Sequence, residues 1–186
     1  MAQRMHRVER REQILDAATR AFAGSGYTAT SLDEVATEAG ITRVLLYRHF
    51  ESKSDMYRAV LERALNRMRD TVGETGYDDN TIPTLLKAAA ADPDGFRLVF
   101  RHAYREPEFR DLVDSLQATS HTVAYSYLDE ITDDAWREWA ARLLPTITLE
   151  AVMTWLDAGL PDPENAPARI TAVVGAVIQA ASGPRQ

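Results

Sequence analysis

Apolar side chains recur every three or four residues along most of the 186-residue chain. No run alternates apolar and polar positions as a half-buried strand would, so the pattern predicts an all-α protein. From residue 9 to about 23 the stripe is Ile14, Leu15, Ala18, Ala21 and Phe22, and Gly24-Ser25-Gly26 ends that helix in a loop. Tyr27 comes next, read as core packing for the loop. Ser31 with Glu34 three positions on forms a capping box, so a short helix starts at Leu32 and buries Leu32, Val35, Ala36 and Ala39. Gly40 stops it, Ile41 plugs the turn, and Thr42 caps a further helix over about 43–49 with Leu46 and Phe50 inward. Ser52 with Asp55 opens a fourth helix. Its stripe of Met56, Val60, Leu61 and Leu65 runs to about Val72, long enough to link two parts of the chain.

Gly73, Gly76 and Asp78-Asp79-Asn80 then mark a boundary. Beyond it the spacing predicts a helix over 81–91, and a second one started by Asp92-Pro93, with Phe96, Phe100 and Tyr104 four apart. After the interruption at Pro107, a third helix carries Leu112, Leu116, Val123 and Tyr127 to about Ile131. A long helix over about 135–160 contains Pro145, which predicts a kink or break. The last helix, about 168–181, has Ile170, Val173, Val174, Val177, Ile178 and Ala181 on one face and Ala172, Gly175, Ala176 and Ala180 on another. A helix apolar on both faces needs a second surface to cover it, and a second copy of the chain is the expected cover.

Charge sharpens this division. The net charge of −7 is unevenly spread: residues 1–70 hold 12 Lys and Arg against 10 Asp and Glu, and residues 71–186 hold 9 against 18. A head with clustered arginines and an acidic remainder fits a protein whose head alone approaches a polyanion. Residues 1–8, with Arg4, His6 and Arg7, read as a loose basic arm. Cysteine is absent, which removes disulfides, thiol nucleophiles and thiolate metal sites. No hydrophobic run suits a signal peptide or membrane span, so a cytoplasmic protein with no membrane partner is expected.

Two helices joined by a turn as short as Ala39-Gly40-Ile41 cross steeply, in the helix-turn-helix arrangement whose second helix enters a DNA major groove. The outward residues suit that surface. Arg43 can donate to O6 and N7 of guanine, and Val44 or Leu45 can pack on a thymine methyl. Tyr47, His49 and Lys53 can reach phosphates, with Arg48 beside them. From periodicity alone, a structural three-helix bundle with a solvated basic face reads equally well.

The stretch AGITRVLLYRHFESK (residues 39–53) resembles the signature of the tetracycline-repressor (TetR) family. In that pattern a glycine, a capping Ser or Thr, a polar or basic base-reader, Leu-Tyr, an inward Phe and Ser-Lys recur at this spacing. The resemblance implies that Thr42, Tyr47, His49 and Lys53 hold phosphates and that Arg43 and Val44 read bases, with Ser31 also on the DNA side. Two positions depart from the pattern: Val44-Leu45 is bulkier than the usual small pair, and Asp33 stands where some members place an arginine.

Other constellations carry less. His6, His49, His102 and His121 lack ligand spacing, and a site built from His102 and His121 with Glu106 or Glu150 is outweighed by solvated or core histidine; no metal or cofactor is expected. Ser120 and His121 are adjacent on a helix and point apart, so no catalytic residue is assigned. Glu150, within the apolar run TITLEAVMTW, reads either as a buried carboxylate facing a ligand or, more readily, as an edge-exposed residue or one paired with Arg142 or a subunit neighbour.

The resulting expectation is a helix-turn-helix domain over 1–72 and a helical dimerisation and ligand-binding domain over 73–186. The implied partners are double-stranded operator DNA, a second copy bound through the last two helices, and a small apolar or aromatic effector that releases a palindromic operator. Phe100, Tyr104, His121, Tyr125, Glu150 and Trp155 are the candidate effector contacts. The alternative is a small-molecule-binding or scaffold helical protein that does not bind DNA.

Overall fold

In a computed structural model, which describes residues 7–73 and 78–183, nine α-helices succeed one another with no strand among the described residues. They are α1 (Arg7–Ala29), α2 (Leu32–Glu38), α3 (Arg43–Tyr47), α4 (Lys53–Val72), α5 (Thr81–Ala91), α6 (Pro93–Arg97), α7 (Arg110–Ser126), α8 (Asp134–Asp157) and α9 (Ala166–Ser182). Between α6 and α7 lie one π-helical turn, Leu98–His102, and two 3₁₀ turns, Ala103–Arg105 and Pro107–Phe109. The fold is all-α, as the pattern predicts. Of the expected basic arm, residues 1–6 lie outside the described residues, as does Gly76 at the boundary; Arg7 and Val8 form the first turn of α1.

The chain divides into two compact units, Met1–Asn66 with Asp94–Arg110, and Arg67–Pro93 with Asp111–Gln186. In the first, α1 buries Ile14, Leu15, Ala18 and Phe22, α2 buries Val35 and Ala36, α3 buries Leu46, and α4 buries Met56, Tyr57, Val60 and Leu61. Removing these side chains from water is the main force holding the short helices together, since α2 and α3 are too short to persist alone. Arg63 of α4 is the electrostatic tie to α1. Nearly buried, it donates to Asp16 at 2.8 Å, Glu12 at 3.1 Å and Thr19 Oγ1 at 2.8 Å. Residues 94–110, which composition alone assigns to the second segment, pack within this first unit. Phe109 is fully buried there, with ring centroids 5.1 Å from Tyr27 and 4.8 Å from Tyr57.

Tyr57 has a cost attached. Its hydroxyl is buried with no hydrogen-bond partner among the described residues, and burial pushes its ionisation far up. Tyr57→Phe removes an unsatisfied polar atom while keeping the ring, so it is expected to stabilise the protein by about 1 kcal/mol. Chemical denaturation checks this, and a loss of stability would mean that the hydroxyl has a partner.

In the second unit α8 packs on α9, and α5 packs on both. The buried side chains are Ile82, Leu86 and Ala89 of α5, Ala140, Ala141, Leu144, Val152, Met153 and Leu156 of α8, and Ile170, Val174 and Ala181 of α9.

Several local expectations are corrected. α1 does not end at Ala23; the backbone turns out of the helix at Gly26, whose φ of 78° is left-handed. α3 stops at Tyr47, with Arg48 as its C-cap, so His49 lies beyond it. The helix expected through Phe96, Phe100 and Tyr104 breaks after Arg97. A π-helical turn takes in an extra residue and rotates the later side chains by about 100°, so Phe96 is buried, Phe100 half-buried and Tyr104 exposed. α7 ends at Ser126, leaving Tyr127 exposed while Leu128 and Ile131 turn inward. Pro145 does not interrupt α8. On α9, Val173 and Ile178 lie outside the buried stripe.

Candidate nucleic-acid interface

The geometry of the interface begins with local hydrogen bonds that the sequence dictates. Ser31 Oγ accepts from Glu34 N at 3.1 Å, and the Ser31 N–H donates to Glu34 Oε2 at 2.6 Å, completing the capping box. These bonds also hold the Glu34 carboxyl below its usual range, with Lys53 near enough to add to the effect. At the other end of α2, the Gly40 N–H donates to Thr37 O at 3.0 Å and the Ile41 N–H to Ala36 O at 3.0 Å. This is the paired bonding of a Schellman motif, and it needs the left-handed φ of 63° that Gly40 adopts. Gln13 of α1 braces the same turn by donating to Ala39 O at 3.0 Å. Thr42 Oγ1 then accepts from Leu45 N at 3.3 Å and starts α3. Both capping hydroxyls act as acceptors, which leaves each O–H able to donate to a phosphate.

With Leu46 and Phe50 buried beneath it, α3 presents Arg43, Val44, Tyr47 and Arg48 outward; Val44 is 68% exposed and Tyr47 47%. Leu45 is half-buried, so of the two apolar neighbours Val44 is the more exposed. Arg43 is not extended. Its Nη1 donates to Asp33 Oδ2 at 2.9 Å, its Nη2 donates to Tyr47 OH at 3.3 Å, and its guanidinium carbon lies 5.6 Å from the Tyr47 ring centroid.

His49 is half-buried. Burial first, and then Arg7, Arg11 and Arg10, hold its imidazole below the ordinary 6.5, so it is neutral near pH 7 and offers one N–H. Lys53 opens α4. Its Nζ donates to Thr28 O at 3.2 Å and sits 4.6 Å from the Tyr27 ring centroid, so the ammonium is braced against the end of α1, beyond the kink at Gly26.

The candidate effector residues are divided between the two units. Phe100, beside Phe96 at 4.5 Å, and Tyr104 belong to the first unit; His121, Tyr125, Glu150 and Trp155 belong to the second. Within the second, His121 and Tyr125 are neighbours, with ring centroids 6.2 Å apart. His121 Nε2 is 3.1 Å from Glu138 Oε2, and Arg137 lies 4.2 Å from the Tyr125 ring centroid while donating to its carbonyl. Glu150 is exposed, in line with the edge-exposed reading favoured from the sequence, and Arg142 pairs with Glu138 at 2.6 Å. Trp155 is occupied in donating to Pro161 O at 2.9 Å. The pattern overlooked Thr148, whose hydroxyl is buried in α8 with no partner among the described residues. A hydroxyl inside the apolar run TITLEAVMTW is the signal that marks it.

Among the described residues, no three His, Asp or Glu side chains come together as a metal site, and no helix is long and apolar enough to cross a membrane.

Comparison with known proteins places this geometry. The sequence pattern of the bacterial regulatory proteins of the tetR family matches residues 14–60, which hold α2, α3 and the start of α4. The transcriptional activator FasR of Mycolicibacterium smegmatis, an HTH-type protein, is 30% identical over 172 residues, 85% of this chain and 77% of FasR. The transcriptional repressor BepR of Brucella suis is 43% identical over 56 residues, covering 30% of this chain and 27% of BepR. A TetR-like transcriptional regulator from Rhodococcus sp. RHA1 superposes with a TM-score of 0.79 over 92% of this chain and 96% of its own at 20% identity, a likeness of fold.

Proposed function

The chain belongs to the TetR family of helix-turn-helix transcriptional regulators, and on that premise we propose that it binds a palindromic operator as a homodimer and is released by a small apolar or aromatic effector. It is a regulator of transcription, not an enzyme. The observation that carries the DNA contact is the exposed row Arg43, Val44, Tyr47 and Arg48 on a helix fixed by the Thr42 cap and the Gly40 turn. Arg43 and Val44 read bases. Ser31, Thr42, Tyr47, Arg48, His49 and Lys53 hold the backbone.

In this reading residues 1–72 form the DNA-binding head and residues 73–186 the effector-binding and dimerising body. Two copies meet through α8 and α9. Support comes from Trp136 and Trp139, exposed on α8, and from the small residues Ala172, Gly175 and Ala176 exposed on α9, which let a second helix approach closely. Within the second unit the effector contacts are drawn from His121, Tyr125 and Trp155, and the Thr148 hydroxyl is a ready partner for a polar group on an otherwise apolar ligand.

Measuring operator affinity across a salt series tests the first half: log K falls by about 0.9 per phosphate contacted for each decade of salt. A helical binding or scaffold protein without this function gives no salt-dependent shift. For the second half, lipophilic compounds that raise the melting temperature are assayed for operator release, and a tenfold release requires about 1.4 kcal/mol of differential binding between DNA-competent and incompetent states. Ligands that stabilise the protein and leave DNA affinity unchanged contradict the release mechanism. FasR, called an activator, favours a second reading in which bound protein raises transcription; transcription in vitro from the selected operator separates the two.

A further inference from the structure

The pairing of Arg43 with Asp33 is not explained by stability. Both side chains are more than half exposed, at 52% and 67%, and a solvated ion pair of this kind adds little to folding. An added carboxylate on the face that meets a polyanion also opposes association. Yet Asp33 is rigidly mounted. It lies in the first turn of α2, one residue before Glu34 of the completed capping box, and its own carbonyl accepts from Thr37 Oγ1 at 2.8 Å.

The guanidinium has five N–H donors in one plane. Asp33 takes one from Nη1 and Tyr47 one from Nη2, so three remain: Nε–H and one on each Nη. That is enough for the two-point contact with guanine N7 and O6. An arginine already held loses less side-chain freedom on binding, and a held fork tolerates fewer alternative bases than one free to swing toward a phosphate.

We infer that Asp33 is a specificity-determining positioning residue: with Tyr47 it fixes the Arg43 fork for one guanine. This rests on Arg43 reading a base. The same Tyr47 hydroxyl that accepts from Arg43 retains its own proton for a phosphate, so its two roles are compatible.

The test compares parent, Asp33→Ala, Asp33→Asn and Arg43→Ala on the selected operator and on operators with each base substituted in turn, at fixed salt, with melting temperatures to confirm folding. Arg43→Ala flattens the preference at one operator position by roughly tenfold or more. Asp33→Ala flattens that same position by a comparable factor, while binding to random DNA holds steady or strengthens severalfold. Asp33→Asn, which retains an acceptor for Nη1, recovers part of the preference. If Arg43→Ala flattens a position and Asp33→Ala leaves it intact, or weakens all sequences alike as a loosened α2 would, the inference is overturned and the base-reading role stands. If Arg43→Ala changes no position, the base-reading role itself fails and the inference with it.

Discussion

Phe109→Ala is expected to destabilise the first unit by about 3–5 kcal/mol, the range for truncating a buried aromatic ring to a methyl group. The ring is fully buried, meets Tyr27 and Tyr57 edge-on, and has the Arg58 guanidinium 5.5 Å from its centroid. Arg58 also donates to the neighbouring Glu108 carbonyl at 3.0 Å, and the Glu108 carboxylate accepts from Ser54. Deleting the ring therefore leaves a void beside the Tyr27 and Tyr57 rings and loosens the turn that ties residues 106–109 to α4. Hydrogen exchange is the suitable readout because all three tryptophans lie in the second unit. Amides of α1 and α4 should exchange two to three orders of magnitude faster, at about 1.4 kcal/mol per decade. A change below tenfold would show that the first unit does not depend on this segment.

Ala172→Glu combined with Ala176→Glu is expected to give a folded monomer whose operator affinity falls by at least about a hundredfold, because a half-site held by one head loses the contribution of the linked second head. Both alanines are exposed and four apart on the outer face of α9, so in the single chain the new charges stay in water and repel each other only weakly, whereas across a two-fold interface they would be buried against like charges. Val174 is an unsuitable probe: it is buried in the chain's own core, and a glutamate there would unfold the second unit. Sedimentation of the folded variant reads the result directly. A variant that remains dimeric would remove the proposed interface from this face of α9.

What is legible in the sequence is local. The Ser31–Glu34 box, the Gly40-Ile41 turn and the Thr42 cap each involve residues within five positions of one another, and their hydrogen bonds form as the spacing predicts. The buried Leu46 and Phe50 come from helical period alone. Where contacts are distant, the pattern fails to reach. Asp33 meets Arg43 from another helix, and Phe109 reaches Tyr27 across 82 positions of chain.

The turn at Leu98–His102 is hidden for a different reason. Aromatics four apart fit a regular helix as well as one that widens by a residue, and only packing chooses between them. Val173 and Val174 are chemically identical neighbours 100° apart; which one faces α8 is set by where α8 lies. Lys53 is braced on Thr28 O, 25 positions back along the chain, and on the Tyr27 ring, contacts that no local spacing announces.

The most direct test is selection of bound sequences from a random DNA pool by the full chain, with affinity then measured on the winner in a salt series. The account predicts an inverted repeat whose half-site centres lie about 34 Å, or a multiple of it, apart, with affinity falling steeply as salt rises. A single unrepeated half-site would contradict the dimeric reading. No enriched sequence, or binding indifferent to salt, would contradict operator recognition by the Arg43 face.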